Sequence, residues 1–271
     1  VLFQRPHRER QGKPYPTFKG TIMSAVLDLR DVTKDYRAGP FGLGRLRAVD
    51  RASLVVEAGE SVGLAGPNRA GKTTLLKLAL SLCRPTSGRV TRLGRVGDDR
   101  STLAGVGYVH ERPAFPPYLS STALLDQYAV MAGVPTRARR LRVPELIERV
   151  GLADREDEPI GRFSKGMLRR LGLAQALINE PRLLVLDEPN EGLDLPGRDL
   201  VFDLLDEHRR RGGAILLVSH LLDDLDRLCD RAVVVVGGRV VADGAVADLA
   251  DRPGGLEAAL RALYRREGSP S

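Results

Sequence analysis

The sequence predicts an α/β fold with a mainly parallel core sheet, on three observations. Apolar runs of strand length alternate with helix-period segments through most of the chain. One such strand, at 62–65, breaks at a glycine-containing loop and resumes as a helix. Another, at 183–187, is a continuous apolar run ending in an acid, the pattern of a parallel strand covered on both faces.

The loop organises the rest. Gly66-Pro67-Asn68-Arg69-Ala70-Gly71-Lys72-Thr73 fits G-x-x-x-x-G-K-[ST], and Leu75, Leu76, Leu78 and Ala79 mark the buried side of the helix that follows. Successive backbone N–H groups in such a loop form a nest for phosphate oxygens, and Gly71 lets the main chain approach without a Cβ. Lys72 then reaches the terminal phosphates, and the Thr73 hydroxyl is a ligand for Mg²⁺. The helix directs its positive end at the same anion.

A chain of 271 residues with 42% hydrophobic content supports a real core, in one large domain or two small ones. The net charge of +7 is concentrated at one end, since residues 1–22 contribute +4 of it, so no nucleic-acid partner is expected. Cys83 and Cys229 are far apart and lie in apolar helical contexts, which predicts buried free thiols of a reducing compartment and no metal site. No apolar run is long enough to cross a bilayer, and the start of the chain lacks the apolar stretch of a secretory signal.

Residues 1–22 have no apolar period and read as a disordered leader or tag; Val1-Leu2-Phe3-Gln4 matches part of a viral-protease site, and Met23 reads as the natural start. Strands are expected at 25–32 and 54–57, with a Gly-rich turn through Gly39, Pro40, Gly42 and Gly44 between them. Tyr36 precedes the nucleotide-binding unit, where an aromatic can stack on a base or simply pack. Further strands are expected at 87–90 and 105–109, before prolines interrupt all periodicity near Glu111. Helical spacing at 121–131, 143–150 and 167–178 makes residues of about 115–178 a mainly helical block. Its cluster Arg137, Arg139, Arg140 and Arg142 reads as a solvated helix surface, with acidic lipid or a partner as the alternative.

The strand at 183–187 ends in Asp187, followed by Glu188, where open α/β sheets bind their ligands. Asp187 is placed to hold Mg²⁺, directly or through water, and Glu188 to polarise the attacking water. A helix at 197–210, a strand at 214–218, a helix at 221–228, strands near 233–236 and 240–242, and two short helices from 245 complete the chain. His220 follows the 214–218 strand at the same sheet edge, where a γ-phosphate role and a structural one are both open.

With these elements in place, Phe163-Ser164-Lys165-Gly166-Met167, just ahead of RRLGLAQAL at 169–177, resembles the signature motif of ABC-type ATPases. The motif is usually written LSGGQ, and the S-K-G-M form is similar to that of bacterial type-two exporters of drugs, antibiotics and ions. The resemblance spans residues 25 to about 263. It implies a P-loop NTPase of ABC type, with an N-terminal antiparallel β part and an inserted helical subdomain within residues 23–244, and a C-terminal tail at 245–271. Under it, 66–73 is Walker A, 183–187 Walker B, Glu188 the catalytic glutamate, 192–194 the D-loop and His220 the switch histidine. Tyr36 falls at the adenine-stacking position and Glu111 at that of the Q-loop glutamine, a further Mg²⁺ ligand; Thr74 joins the ATP contacts.

The resemblance further implies two such domains head to tail, with each ATP and its Mg²⁺ held between Walker A of one and Ser164, Lys165, Gly166 and Met167 of the other. It implies an ATPase, peripheral on the inner face of the cell membrane, that powers a separately encoded permease, most simply an exporter. The alternatives are a non-transport ABC ATPase acting on nucleic acid or ribosomes, and a degenerate domain of an asymmetric heterodimer. Arg69 stands where the family usually has glycine, so it adds a phosphate contact or strains the loop if that position needs positive φ.

Overall fold

The computed structural model describes residues 25–38, 44–251 and 253–268. The expectations for residues 1–22, for Met23 and for Gly39, Pro40 and Gly42 lie outside them.

Two sheets share the work. The first is antiparallel, in the order β2-β1-β4-β5, from β1 (Ala25–Ala38), β2 (Gly44–Glu57), β4 (Ser87–Arg92) and β5 (Arg95–Val96). β1 and β2 are far longer than 25–32 and 54–57 suggest. Register shifts between Leu29 and Lys34 break the alternation that a sequence window needs, while the pairing itself continues.

The second sheet has the order β10-β9-β3-β8-β7-β6, from β3 (Ser61–Ala65), β6 (Val106–Val109), β7 (Leu183–Asp187), β8 (Ala214–Val218), β9 (Arg231–Val236) and β10 (Arg239–Ala245). All but β10 pair in parallel. Every residue of β3, β7 and β8 is buried, because both faces are covered. Leu64, Leu183, Val185, Leu216 and Val233 face the antiparallel sheet and α1 (Lys72–Ala79). Their neighbours Leu184, Leu186, Ile215, Leu217 and Val234 face the helical side, where they join one continuous core with the helical block.

That block runs from β6 to β7 as α2 (Ser121–Met131), α3 (Thr136–Arg149) and α4 (Lys165–Leu177). α3 begins seven residues before the apolar period at 143 and carries Pro144 in its interior. The carbonyl that Pro144 leaves without a donor belongs to Arg140, an exposed residue, so the break falls on the solvent side of the helix. α3 also divides the arginine cluster. Arg139 meets Asp126 at 3.1 Å, and Arg142 meets Glu180 at 2.7 Å and the Ile178 carbonyl at 3.0 Å, so only Arg137 and Arg140 form the solvated surface expected of all four. After β7 come α5 (Leu195–Arg210), α6 (Leu222–Leu228), α7 (Val246–Ala250) and α8 (Gly255–Gly268), the last longer than the short helix expected. Cys229 is buried, but Cys83 is only half-buried, correcting the expectation of two buried thiols. Among the described residues no helix is long and apolar enough to cross a membrane.

Candidate functional site

Four parallel strands deliver the site. β3, β8, β7 and β6 end at one sheet edge, and the residues that follow them, the phosphate loop, Ser219–His220, Glu188 and Glu111, converge there. A cleft of about 550 Å³ is lined by Asn68, Arg69, Ala70, Gly71, Lys72, Thr73, Thr74, Glu111, Asp187, Glu188, Glu191 and His220, with Ala48 and Val218. Of the eighteen site positions picked from the sequence, eleven are among these fourteen lining residues.

The loop's glycines are set by close approach. A Cβ on Gly66 would strike the Val235 carbonyl, and one on Gly71, where φ is 109°, would lie 2.5 Å from the Ala48 carbonyl. Lys72 Nζ donates to the Gly66 carbonyl at 2.5 Å and to that of Pro67 at 3.0 Å, so the lysine is held across the loop. Burial lowers its pKa, opposed by the charges of Glu188 and Asp187. Arg69 has φ 64°, the left-handed conformation that glycine adopts without cost, and its exposed side chain has no hydrogen bond or ion pair among the described residues.

Opposite the loop, burial and then the charges of Glu188 and Glu111 push the Asp187 carboxyl up to about 6, against His110 and Lys72. Among the described residues no group of three or more His, Cys, Asp or Glu side chains forms a ready-made metal cluster. A hydroxyl on Thr73 with carboxylates on Asp187 and Glu111 is nonetheless a hard, all-oxygen donor set suited to Mg²⁺. Glu188 is also left-handed, φ 53°, with its N–H on the Val218 carbonyl at 2.8 Å. Its Oε2 accepts the His220 N–H at 3.1 Å and lies 2.8 Å from His220 Nδ1. Glu188 is mostly covered and His220 mostly exposed, so the pair faces outward from the cleft floor.

Other predicted residues lie at the margin. Tyr36 does not line the cleft: its hydroxyl contacts Cys83 Sγ at 3.8 Å and hydrogen-bonds Thr74, and Lys34 Nζ sits 5.1 Å from its ring centre. Gly66 and Pro67 form the loop's base, with their carbonyls turned to Lys72. Ser164 caps α4, its hydroxyl accepting from the Met167 N–H at 3.2 Å, and it stands with Lys165 on an exposed edge, beside half-buried Gly166 and Met167. None of these four lines the cleft of its own chain.

Sequence reading missed two supports. Asp224 is fully buried and accepts from Ser219 Oγ at 2.8 Å and Asn190 Nδ2 at 2.9 Å, tying the turn before α6 to the segment after Glu188. An acid four residues after a strand-end histidine is the sequence signal that was available. Arg169, 9% exposed, directs its guanidinium to the Glu188 carbonyl and to Glu191 Oε2 at 3.4 Å.

Residues 49–191 match the family model described as ABC transporter. An uncharacterised ABC transporter ATP-binding protein of Nostoc sp. is 40% identical, over 86% of this chain and 71% of that one. The Nod factor export ATP-binding protein I of Rhizobium meliloti is 39% identical, over 82% of this chain and 65% of that one. A solved ATP-binding subunit of an ABC transporter superposes with a TM-score of 0.80 at 28% identity, covering 88% of this chain and 99% of its own. A dimeric ATP-binding cassette in a post-hydrolysis state with ADP and Pi shares the fold, with a TM-score of 0.73 at 22% identity over 81% and 98%. With that likeness and with phosphate loop, acidic strand end and strand-end histidine facing one cleft, the chain belongs to the ABC transporter ATP-binding family and is an ATPase domain.

Proposed function

We propose that the chain hydrolyses Mg²⁺-ATP between two such domains and powers the export of a substrate through a permease on a separate chain. One observation carries the hydrolytic part: the Glu188 carboxylate, bound to both the N–H and the ring of His220, faces the phosphate loop across one cleft. Lys72, Arg69 and the loop amides bind the phosphates, and Thr73, Asp187 and Glu111 hold the cation. Mg²⁺ supplies charge neutralisation at the phosphates when bound. Glu188 takes the proton of the attacking water, and His220 fixes the carboxylate's orientation. Tyr36 is the base-stacking aromatic once its ring is presented at the cleft margin.

The exposed N-terminus of α4 supports the two-domain arrangement, since Ser164 and the amides beside it lie outside the cleft of their own chain and are open to a phosphate held by another. Export follows the Rhizobium meliloti relative. A groove of about 390 Å³ lined by Leu103, Tyr128, Met131 and Ala132, with Met131 81% exposed, supports a permease contact on the helical block. Peripheral attachment to the inner membrane face rests on that contact. A second reading, a degenerate domain of an asymmetric pair, is favoured by the left-handed Arg69.

The test is Mg²⁺-dependent ATPase activity of wild type beside Glu188→Gln, with sizing in ATP. The expected outcome is turnover in the wild type, and in the variant loss of turnover with an ATP-stabilised dimer. Unchanged turnover in the variant defeats the base assignment. A wild type that is inactive alone but active with a second ABC domain selects the degenerate reading.

A further inference from the structure

We propose that Arg169 is a positioning residue for hydrolysis, fixing the Glu188 main chain from the helix whose N-terminus is Ser164. This rests on the reading of Glu188 as the base.

Glu188 keeps an unfavourable left-handed conformation, which persists only where the surroundings over-determine it. Three bonds do so on its main chain. The Glu188 N–H is held by the Val218 carbonyl of β8, and the Glu188 carbonyl by the Arg169 guanidinium of α4 and, at the longer distance of 3.3 Å, by the Glu191 N–H. The side chain is then aimed at His220. Arg169 also reaches Glu191 Oε2 at 3.4 Å, but that carboxylate is half-exposed, so the covered carbonyl bond is the one that orients. Asn190, the residue between, is anchored separately through Asp224.

The consequence lies in where Arg169 sits. It is one and a half turns from Ser164 on a single helix, so the edge that faces a second domain and the acid of its own cleft are joined by a rigid element and one guanidinium. A displacement of the α4 N-terminus is thereby felt at Glu188 of the same chain. Arg169 touches no substrate, so it changes the chemical step and leaves nucleotide binding alone.

The experiment compares Arg169→Met and Arg169→Lys in the full chain, measuring kcat and KM for ATP, binding of a fluorescent ATP analogue, and amide exchange of the peptide around residues 186–193. Arg169→Met is expected to lower kcat by about 30-fold, the scale of a misplaced catalytic group, with nucleotide affinity within about twofold. Arg169→Lys, which keeps one donor for the carbonyl, recovers to within about fivefold. Exchange around Glu188 rises in Arg169→Met and returns towards wild type in the lysine variant.

Equal losses in kcat and affinity, or a loss explained by thermal stability with unchanged exchange around Glu188, overturn the proposal. So does full activity in Arg169→Met while Glu188→Gln is inactive. Glu188→Gln retaining full activity removes the base assignment instead. If Arg169→Met does not fold, the lysine variant and the exchange measurement decide alone: unaltered exchange with lowered kcat counts against a positioning role.

Discussion

Two buried arginines serve two different regions. Arg92, fully covered between α1 and the turn after β5, directs its guanidinium to Thr102 Oγ1 at 2.8 Å, Ser81 Oγ at 3.0 Å, and the Ala79, Gly97 and Asp99 carbonyls at 2.5, 3.2 and 3.4 Å. Every contact is neutral and belongs to the scaffold. Arg169 makes fewer bonds, but its carbonyl partner is that of the acid at the cleft. A buried cation among neutral acceptors stabilises the fold, whereas one on a left-handed acid sets an angle.

The largest expected effect tests that contrast. Arg92→Met removes all five of these bonds and leaves the covered Ala79 carbonyl without a donor, while Ser81 still serves the Gly97 carbonyl and Thr102 that of Asp99; it is expected to cost about 3 kcal/mol, a fall in Tm of about 9 °C, while turnover per folded molecule stays within about twofold. Lost turnover in a folded Arg92→Met protein would make the two arginines alike.

A pH comparison comes next. Burial holds the His208 imidazole down to about 4, against a hydrogen bond to the Ala214 carbonyl, whereas Asp187 at the cleft is pushed up to about 6. The signs are opposite. Unfolded His208 binds a proton that the folded ring refuses between about 4 and 6.5, so its share of stability, about 2–3 kcal/mol, is present above pH 6.5 and lost as pH falls. The folded Asp187 carboxyl keeps a proton that the unfolded chain releases, so its share is lost as pH rises towards 6. Urea unfolding from pH 7.5 to 4.5 should show a flatter acid limb in His208→Gln, and in Asp187→Asn a gain confined to the neutral end. Parallel limbs in all three proteins would rule out both.

The smallest effect concerns two strained residues. Ser81, φ 55°, repays its conformation by bonding the Gly97 carbonyl and accepting from Arg92, whereas Arg69, φ 64°, has no such bond. Arg69→Gly is expected to stabilise by about 1 kcal/mol and Ser81→Gly to destabilise by a similar amount, read by denaturant unfolding. Turnover in Arg69→Gly should change by less than about tenfold; a gain of several hundredfold shows an impaired native loop.

The sequence made the cleft legible because its chemistry is carried at strand ends. The loop at 66–73, Asp187, Glu188 and His220 follow covered strands whose apolar runs end where the site begins, at 65, 187 and 218. The supports were not legible for the opposite reason. An arginine two residues past Met167 reads as surface, because its partner is a main-chain carbonyl and leaves no mark in the sequence. Arg92 likewise looks like one more charge on an antiparallel strand. Residues 136–142 gave no helical period because Arg139 and Arg142 answer to Asp126 and Glu180, and Arg137 and Arg140 to solvent, not to a core. Asp224 was visible as a residue but not as the link between Ser219 and Asn190, which only the fold brings together.

The helical block leaves the core sheet from β6 and re-enters at β7, its hydrogen-bonded neighbour. An insertion at such a seam behaves like an adaptor on a fixed engine. If the helical block carries the proposed permease contact, exchanging α2 and α3 while keeping α4 and the core contacts of Leu124, Leu125 and Ile147 would change that partner without shifting the pairing of the strands that carry the chemistry.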